Sequence, residues 1–249
     1  MTDLFCRTVR YTLLLSGIFF FSNQKSSAQE DQDVQTWLDF NYSYINSPKW
    51  TFGGDGGTRG IISSDEVTTI YLRPTANYKV NKNVRVGAAV AGFQTFRKDD
   101  HDLFELRLAQ EVQATWPRLN RVNFTHRLRN EERFYFEDKT EEMPSDDSSF
   151  ENRIRYRLGL ETNYFNISSK IGNVRLLTRI EYFETLRTSD DSGRFNDSRV
   201  SGGYSQLLKN GWSYEVIFIW QRQGDVFGGE FTTDQYVLRL RVYLRQSKN

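Results

Sequence analysis

Cysteine is almost missing from this sequence. The single thiol, Cys6, lies in an N-terminal segment that reads as a leader. The chain beyond it therefore has no disulfide, no cysteine-ligated zinc and no cysteine nucleophile. Histidine occurs only at His101 and His126, which leaves little material for acid–base or metal chemistry. Surplus charge of one sign is missing too. The 33 basic residues are matched by 32 acidic ones, for a formal net charge of +1, so nothing electrostatic favours nucleic acid. No apolar run after the N-terminus is long enough for a transmembrane helix. Lysine is scarce inside the patterned segments, where arginine is abundant.

What is there begins with an export signal. Arg7 and Arg10 precede the apolar stretch "YTLLLSGIFFF", Tyr11 to Phe21, and small residues follow at Ser26 and Ala28. This order predicts a secretory signal peptide over residues 1–28, cleaved before Gln29. The apolar stretch is well short of the ~20 residues a spanning helix needs. No cysteine follows it, which argues against lipoprotein processing.

Beyond the signal, aromatic residues make up 15% of the chain, and a period of two dominates. In "ENRIRYRLGLETNY", Arg153, Arg155, Arg157 and Glu161 share one face, while Ile154, Tyr156, Leu158 and Leu160 share the other. Successive side chains of a β-strand point to opposite faces, so this is strand spacing. The pattern recurs. Leu38, Phe40 and Tyr42 oppose Asp39, Asn41 and Ser43; Ile70 and Leu72 oppose Thr69 and Arg73. Phe104, Leu106 and Val112 oppose Glu105, Arg107 and Glu111. Arg127, Arg129, Glu131 and Arg133 share a face, as do Arg175, Arg179 and Glu181, and Arg239 with Arg241. "WSYEVIFIWQ" sets Trp212, Tyr214, Val216, Phe218 and Trp220 in one row.

In a soluble sandwich the charged face would meet solvent. In a transmembrane barrel it would line the lumen, and the apolar face would meet lipid. Two features favour the barrel. Short polar turns ("VNKN", "WPRLN", "NISSKIGN", "LKNGW") alternate with longer charged connections near Phe96, Glu137, Arg187 and Gln223. The charged face also mixes arginine with glutamate, as suits planar, bidentate, partly buried ion pairs. The expectation is an all-β, antiparallel transmembrane barrel of 10 to 12 strands over residues 29–249, with a polar Arg/Glu-lined lumen. Its lining would be Glu105, Arg107, Arg127, Arg129, Glu131, Arg153, Arg155, Arg157, Glu161, Arg179, Glu181, Arg239 and Arg241. Arg107 shares its face with Glu105 and Glu111, Arg129 and Arg133 with Glu131, Arg157 with Glu161, and Arg179 with Glu181. Cross-strand pairing is expected, with Arg153, Arg155 and Arg157 bound to carboxylates on neighbouring strands, among Glu131, Glu161 and Glu181. About eleven segments are readable, but both ends in the periplasm require an even number. Tyr243 is the candidate for the closing aromatic residue that barrel assembly uses.

The order of "FELRLAQEVQ", "HRLRNEERF", "ENRIRYRLGLE", "RIEYFETL" and a strand carrying Arg199 and "GGYSQLL" resembles a family of outer-membrane barrels catalogued as domain of unknown function 2490. Family members often carry a tryptophan where this chain has Ala109. The resemblance implies a small barrel in the outer membrane of a Gram-negative cell, with membrane lipid and the barrel-assembly machinery as partners. It implies no particular activity.

The residues offer little for chemistry. His126 has lipid-facing parity and no serine two positions away, which makes it a membrane-surface histidine. His101 lies among Asp99, Asp100 and Asp102, as a solvated acidic loop would. "FGGDGGTRG", Phe52 to Gly60, lacks the Gly-Lys-Ser/Thr ending of a phosphate loop; its glycines suit close packing or a bulge. "DDSGRFND" lacks the spacing of a calcium loop. No cofactor, metal or catalytic set emerges. The expected function is a non-enzymatic outer-membrane barrel, structural or a narrow solute path. The alternatives are a lipid-modifying barrel enzyme and a soluble periplasmic barrel holding an apolar ligand.

Overall fold

The structure, a computed structural model, describes residues 33–61, 67–98, 101–117, 119–137, 149–168, 172–186, 195–208, 210–225 and 231–247. The proposed signal at 1–28 and the connections around Glu141, Asp190 and Gly228 lie outside the described residues. Twelve strands are present: β1 (Asp33–Ile45), β2 (Trp50–Ile61), β3 (Val67–Lys79), β4 (Val84–Arg97), β5 (Leu103–Thr115) and β6 (Val122–Glu137). They continue as β7 (Ser149–Thr162), β8 (Phe165–Ser168), β9 (Gly172–Leu186), β10 (Phe195–Leu207), β11 (Trp212–Asp225) and β12 (Phe231–Ser247). No helix occurs among the described residues.

Eleven strands close into a barrel. Chain neighbours pair antiparallel around the wall, β7 pairs with β9, and β12 returns to β1. β8 is a short ribbon against β9 in the connection that follows β7. The last seam, β12 with β1, is parallel, from Asp33↔Gln235 to Ile45↔Ser247. The all-antiparallel expectation therefore fails at this one seam. The even count fails with it, because an odd wall places the start of β1 and the end of β12 at opposite rims. The count of eleven readable segments agrees with the wall; the assumption about the two ends does not.

Strand alternation gives the barrel two rims. The short turns containing Lys82, Leu119 and Asn210 share one rim. The longer connections after β6, β9 and β11 belong to the other. Local chemistry shapes the short turns. Asn81 Oδ1 accepts hydrogen bonds from the backbone N–H groups of Asn83 and Val84, both at 2.8 Å, an Asx turn. Asn210 and Gly211 have φ of 58° and 79°, a region that asparagine and glycine tolerate best.

The wall is inside out by the standard of a soluble protein. Among the described residues, thirty-five large apolar side chains are exposed and eleven apolar residues are buried. Leu72, at 68% exposure, and Ile70 point outward from β3, while Tyr71 between them is buried. Aromatic contacts gather near the rims on this outer face. Trp50 stacks on Phe52 and tilts against Tyr78, Phe40 meets Trp212, and Trp116 meets His126 near the short-turn rim. Phe104 with Phe136, Phe134 with Phe150, and Phe218 with Tyr236 lie toward the other. Among the described residues the interior holds two apolar clusters, Trp37 with Leu177, Ile217, Ile219 and Val237, and Tyr71 with Ala91 and Phe93. Tyr243 also points inward and donates to Glu215 at 2.8 Å, so it cannot present its ring outward as a closing aromatic.

Glycines in the wall permit close strand approach. A Cβ on Gly57 would stand 2.2 Å from the Leu38 carbonyl oxygen, and one on Gly203 2.1 Å from that of Val216. A Cβ on the neighbouring Gly202 would meet nothing within 4 Å. Overpacking costs about 1–3 kcal/mol, so Gly203→Ala is expected to lower unfolding free energy by that amount in urea titration of the folded protein. Gly202→Ala is expected to stay within about 0.5 kcal/mol of the parent. Equal behaviour of the two variants would contradict the close contact at Gly203.

Candidate functional site in the barrel lumen

The charged side chains of the eleven wall strands converge inside the barrel, and register decides who pairs with whom. Across β6 and β7, Arg127 stands opposite Arg157, and Arg129 opposite Arg155. Like charges directly opposite are destabilising. Carboxylates set diagonally relieve the clash. Glu131 lies opposite Arg153, Glu111 opposite Arg129, and Glu181 opposite Arg157.

Glu131 is the hub, with 0% exposure. Its Oε2 accepts from Arg153 Nε at 3.0 Å and Nη2 at 2.6 Å. Its Oε1 accepts from Arg155 Nη1 at 2.7 Å and Arg129 Nη1 at 3.5 Å, and Arg107 Nη1 approaches to 3.8 Å. Arg155 continues to Glu181 at 3.1 Å, where Arg127 also binds at 2.6 Å. Arg129 grips Glu111 at 2.6 and 3.0 Å. Toward the long-connection rim, Glu105 is shared by Arg107 at 2.8 and 2.9 Å and Arg133 at 2.7 and 3.2 Å. Arg133 also reaches Glu151 at 3.1 Å.

Two further networks complete the lining. Asp39 accepts from Arg239, from Arg241 Nε at 3.3 Å, and from the Tyr71 hydroxyl. Tyr71 also donates to Asp55 at 3.0 Å, which Arg73 grips at 2.7 and 2.8 Å. On the other side, Glu161 and Glu215 are shared by Arg175, at 2.8 and 3.2 Å, and Arg179, at 3.5 Å to each.

Interior aromatic rings serve as plates for the guanidinium groups. Arg107 lies 4.2 Å from the Phe93 ring centre, Arg155 and Arg199 each 4.4 Å from Phe183, and Arg59 4.4 Å from Trp37. Stacking of this kind, with fork-like bonding, is available to arginine and poorly so to lysine. It explains the scarcity of lysine inside the strands.

All thirteen residues expected to line the lumen project inward. Two of the carboxylates expected from neighbouring strands do bind these arginines: Glu131 takes Arg153 and Arg155, and Glu181 takes Arg155. Arg157 forms an ion pair with none of the three among the described residues. Arg107 takes Glu105 and approaches Glu131, Arg133 takes Glu105 and Glu151, and Arg179 takes Glu161 and Glu215. Which carboxylate each arginine takes depends on register between strands, which sequence spacing does not show. Asp39, Asp55, Arg59, Tyr71 and Glu215 join the lining as well. Parity was the available signal for Asp39 and Glu215; Arg59 was hidden in the glycine-rich stretch, and Tyr71 in an apolar run.

Two cavities occupy the interior. One, of about 530 Å³, lies toward the long-connection half and is lined by Arg59, Arg133, Tyr135, Arg155, Arg199 and Gln221 among others. The second, of about 860 Å³, opens toward the short turns beside Asn77, Gln113, Tyr164 and Arg245. Among the described residues, no group of three or more His, Cys, Asp or Glu side chains is placed to hold a metal ion. His126 is on the outer face, with Nδ1 2.6 Å from the Tyr156 hydroxyl and its ring beside Trp116.

The class is thus a closed β-barrel that buries an Arg/Glu network and turns its apolar side chains outward. Within that class, the chain belongs to the family described as protein of unknown function (DUF2490), whose family model matches residues 34–228. No curated protein matches the chain.

Glu131→Gln would leave four arginines around a neutral amide. Removing one partner from a buried ionic network costs about 3–5 kcal/mol. A loss of that size is expected in urea unfolding of the folded protein. Adding Arg153→Gln should recover part of it, because the two side chains share one interaction. An unchanged unfolding midpoint for Glu131→Gln would remove the hub role.

Proposed function

We propose that this protein is a non-enzymatic β-barrel of the outer membrane, exported by the signal at residues 1–28, with a lumen that forms a narrow path for small solutes. The reading rests chiefly on one observation: the outer wall is apolar and the interior is ionic. A soluble barrel binding an apolar ligand would place its apolar face inward. Here the inward face carries paired charge, and the outward face carries Leu, Ile, Val and Phe between aromatic groups at the two rims. Aromatic girdles flanking an apolar band suit the two interfaces of a bilayer. The wall strands, 12 to 17 residues long, exceed the about 9–11 residues a tilted strand needs to cross.

The cavities favour a solute path over a purely structural barrel. Together they occupy both halves of the lumen and share six lining residues. His126, held by Tyr156 and Trp116, fits a membrane-surface aromatic girdle, in keeping with a barrel that performs no lipid chemistry.

The location is testable. The protein is expected to fractionate with the outer membrane and to migrate differently on gels with and without heating. Single cysteines at Glu141, Asp190 or Gly228 should be labelled from outside whole cells, and those at Lys82 or Asn210 only after the periplasm is opened. Tyr156→Arg should cost about 2–4 kcal/mol in a bilayer, as a charge placed on the lipid face does. Recovery of the folded protein in the soluble periplasmic fraction would end this reading.

A further inference from the structure

The two lumenal cavities have six lining residues in common: Arg73, Arg127, Arg129, Arg157, Arg179 and Arg241. Every one is an arginine. The lining shared by the two cavities is therefore a belt of guanidinium groups contributed by β3, β6, β7, β9 and β12. We propose that this belt is a binding site for a small oxyanion, a phosphate or carboxylate group, and that it makes the lumen selective for anionic solutes.

Three observations carry the assignment. The first is charge. Thirteen arginines line the upper cavity against four carboxylates, Glu105, Glu151, Glu181 and Asp197. Further carboxylates that bind these arginines (Asp39, Asp55, Glu111, Glu131, Glu161 and Glu215), of which Asp55 and Glu215 line the second cavity, narrow the excess without removing it. A narrow, low-dielectric passage with surplus positive charge favours anions, as rings of arginine do in anion pores.

The second is uneven pairing within the belt. Arg73, Arg127 and Arg129 hold carboxylates at 2.6–2.7 Å. Arg179 stands 3.5 Å from each of its two, and Arg241 makes its contact with Asp39 at 3.3 Å. Arg157 has no ion pair among the described residues, although Glu181 stands opposite it in register, because Glu181 is taken by Arg127 and Arg155. One side of the belt is thus firmly neutralised. The other, Arg157 with Arg179 and Arg241, presents spare positive charge.

The third is a surplus of donors. Seven buried side-chain polar atoms among the described residues lack a hydrogen-bond partner, and six of them are donors. Four are arginine Nε atoms, of Arg59, Arg127, Arg155 and Arg175, all on cavity-lining residues. Buried donors without acceptors are costly. An oxyanion supplies several acceptors at once, and the guanidinium fork matches phosphate and carboxylate bidentately.

The transport consequence rests on the solute-path reading; the binding does not. The test therefore uses two separate readouts. Purified, folded protein in detergent is titrated calorimetrically with sodium phosphate at fixed ionic strength, with sodium chloride as the reference. Saturable phosphate binding is expected, at least tenfold weaker in Arg157→Gln and weakened also in Arg157→Lys, which keeps the charge and loses the fork. Lys82→Gln, which removes the same charge from a surface turn, should match the parent. Heat-dependent gel migration confirms that each variant is folded. Should Arg157→Gln not fold, the parent still decides, because phosphate must raise its unfolding midpoint above that in equal chloride. No phosphate binding to the folded parent, or equal binding by parent and Arg157→Gln, overturns the site. Planar-bilayer reversal potentials then test the path, with anions expected to permeate over cations. Phosphate binding without conductance would keep the site and remove the path. Cation-selective conductance without phosphate binding would keep the path and remove the site.

Discussion

An arginine withdrawn from bulk water needs a carboxylate or an aromatic face, and this barrel is organised around that need. Desolvating a guanidinium costs several kcal/mol unless compensating bonds are made. Glu131 meets the demand at the centre, fully buried between strands that bring Arg107, Arg129, Arg153 and Arg155 to it. Its neighbours Glu105, Glu111 and Glu181 extend the same solution up and down the wall. Because each carboxylate serves arginines from more than one strand, the ion pairs also fix register. A one-residue slip would turn the charged face outward and break every pair at once.

The same constraint shapes the exterior. With charges taken inward, the apolar residues of each strand have nowhere to go but out. Alternation then produces a wall whose outer surface carries what a soluble protein would bury. The aromatic contacts near each rim, the odd strand count and the parallel closure of β1 on β12 are all compatible with that division. The glycines at Gly57 and Gly203 contribute by letting neighbouring strands approach where a Cβ would collide with a carbonyl oxygen.

Much of this was legible from period-two spacing. It assigned the inward face of β5, β6, β7, β9 and β12 correctly, because each has charge on one parity and apolar residues on the other. It faltered where both parities are apolar. In β11, Ile217 and Ile219 are buried in the lumen beside Glu215, and nothing in "EVIFIW" separates them from the outward Val216 and Phe218. Tyr71 was obscured in the same way between Ile70 and Leu72. Partner identity was legible for Arg153 and Arg155, which take Glu131 and Glu181 from neighbouring strands, but not for Arg133 with Glu105 or Arg127 with Glu181, where register decides. The odd wall was missed for another reason: the direction of the closing seam is a property of the last contact made, and no single strand encodes it.

Whether the apolar outer face of the wall meets lipid is read directly by tryptophan fluorescence. Trp37 points inward at 4% exposure, and Trp212 points outward at 38%. Two variants, each keeping one of these tryptophans with the others changed to phenylalanine, would be folded into vesicles containing lipids brominated along their acyl chains. Strong quenching of Trp212 and weak quenching of Trp37 is the expected result. Strong quenching of Trp37 with Trp212 spared, or no quenching of either in folded, vesicle-bound protein, would contradict the assignment of the faces.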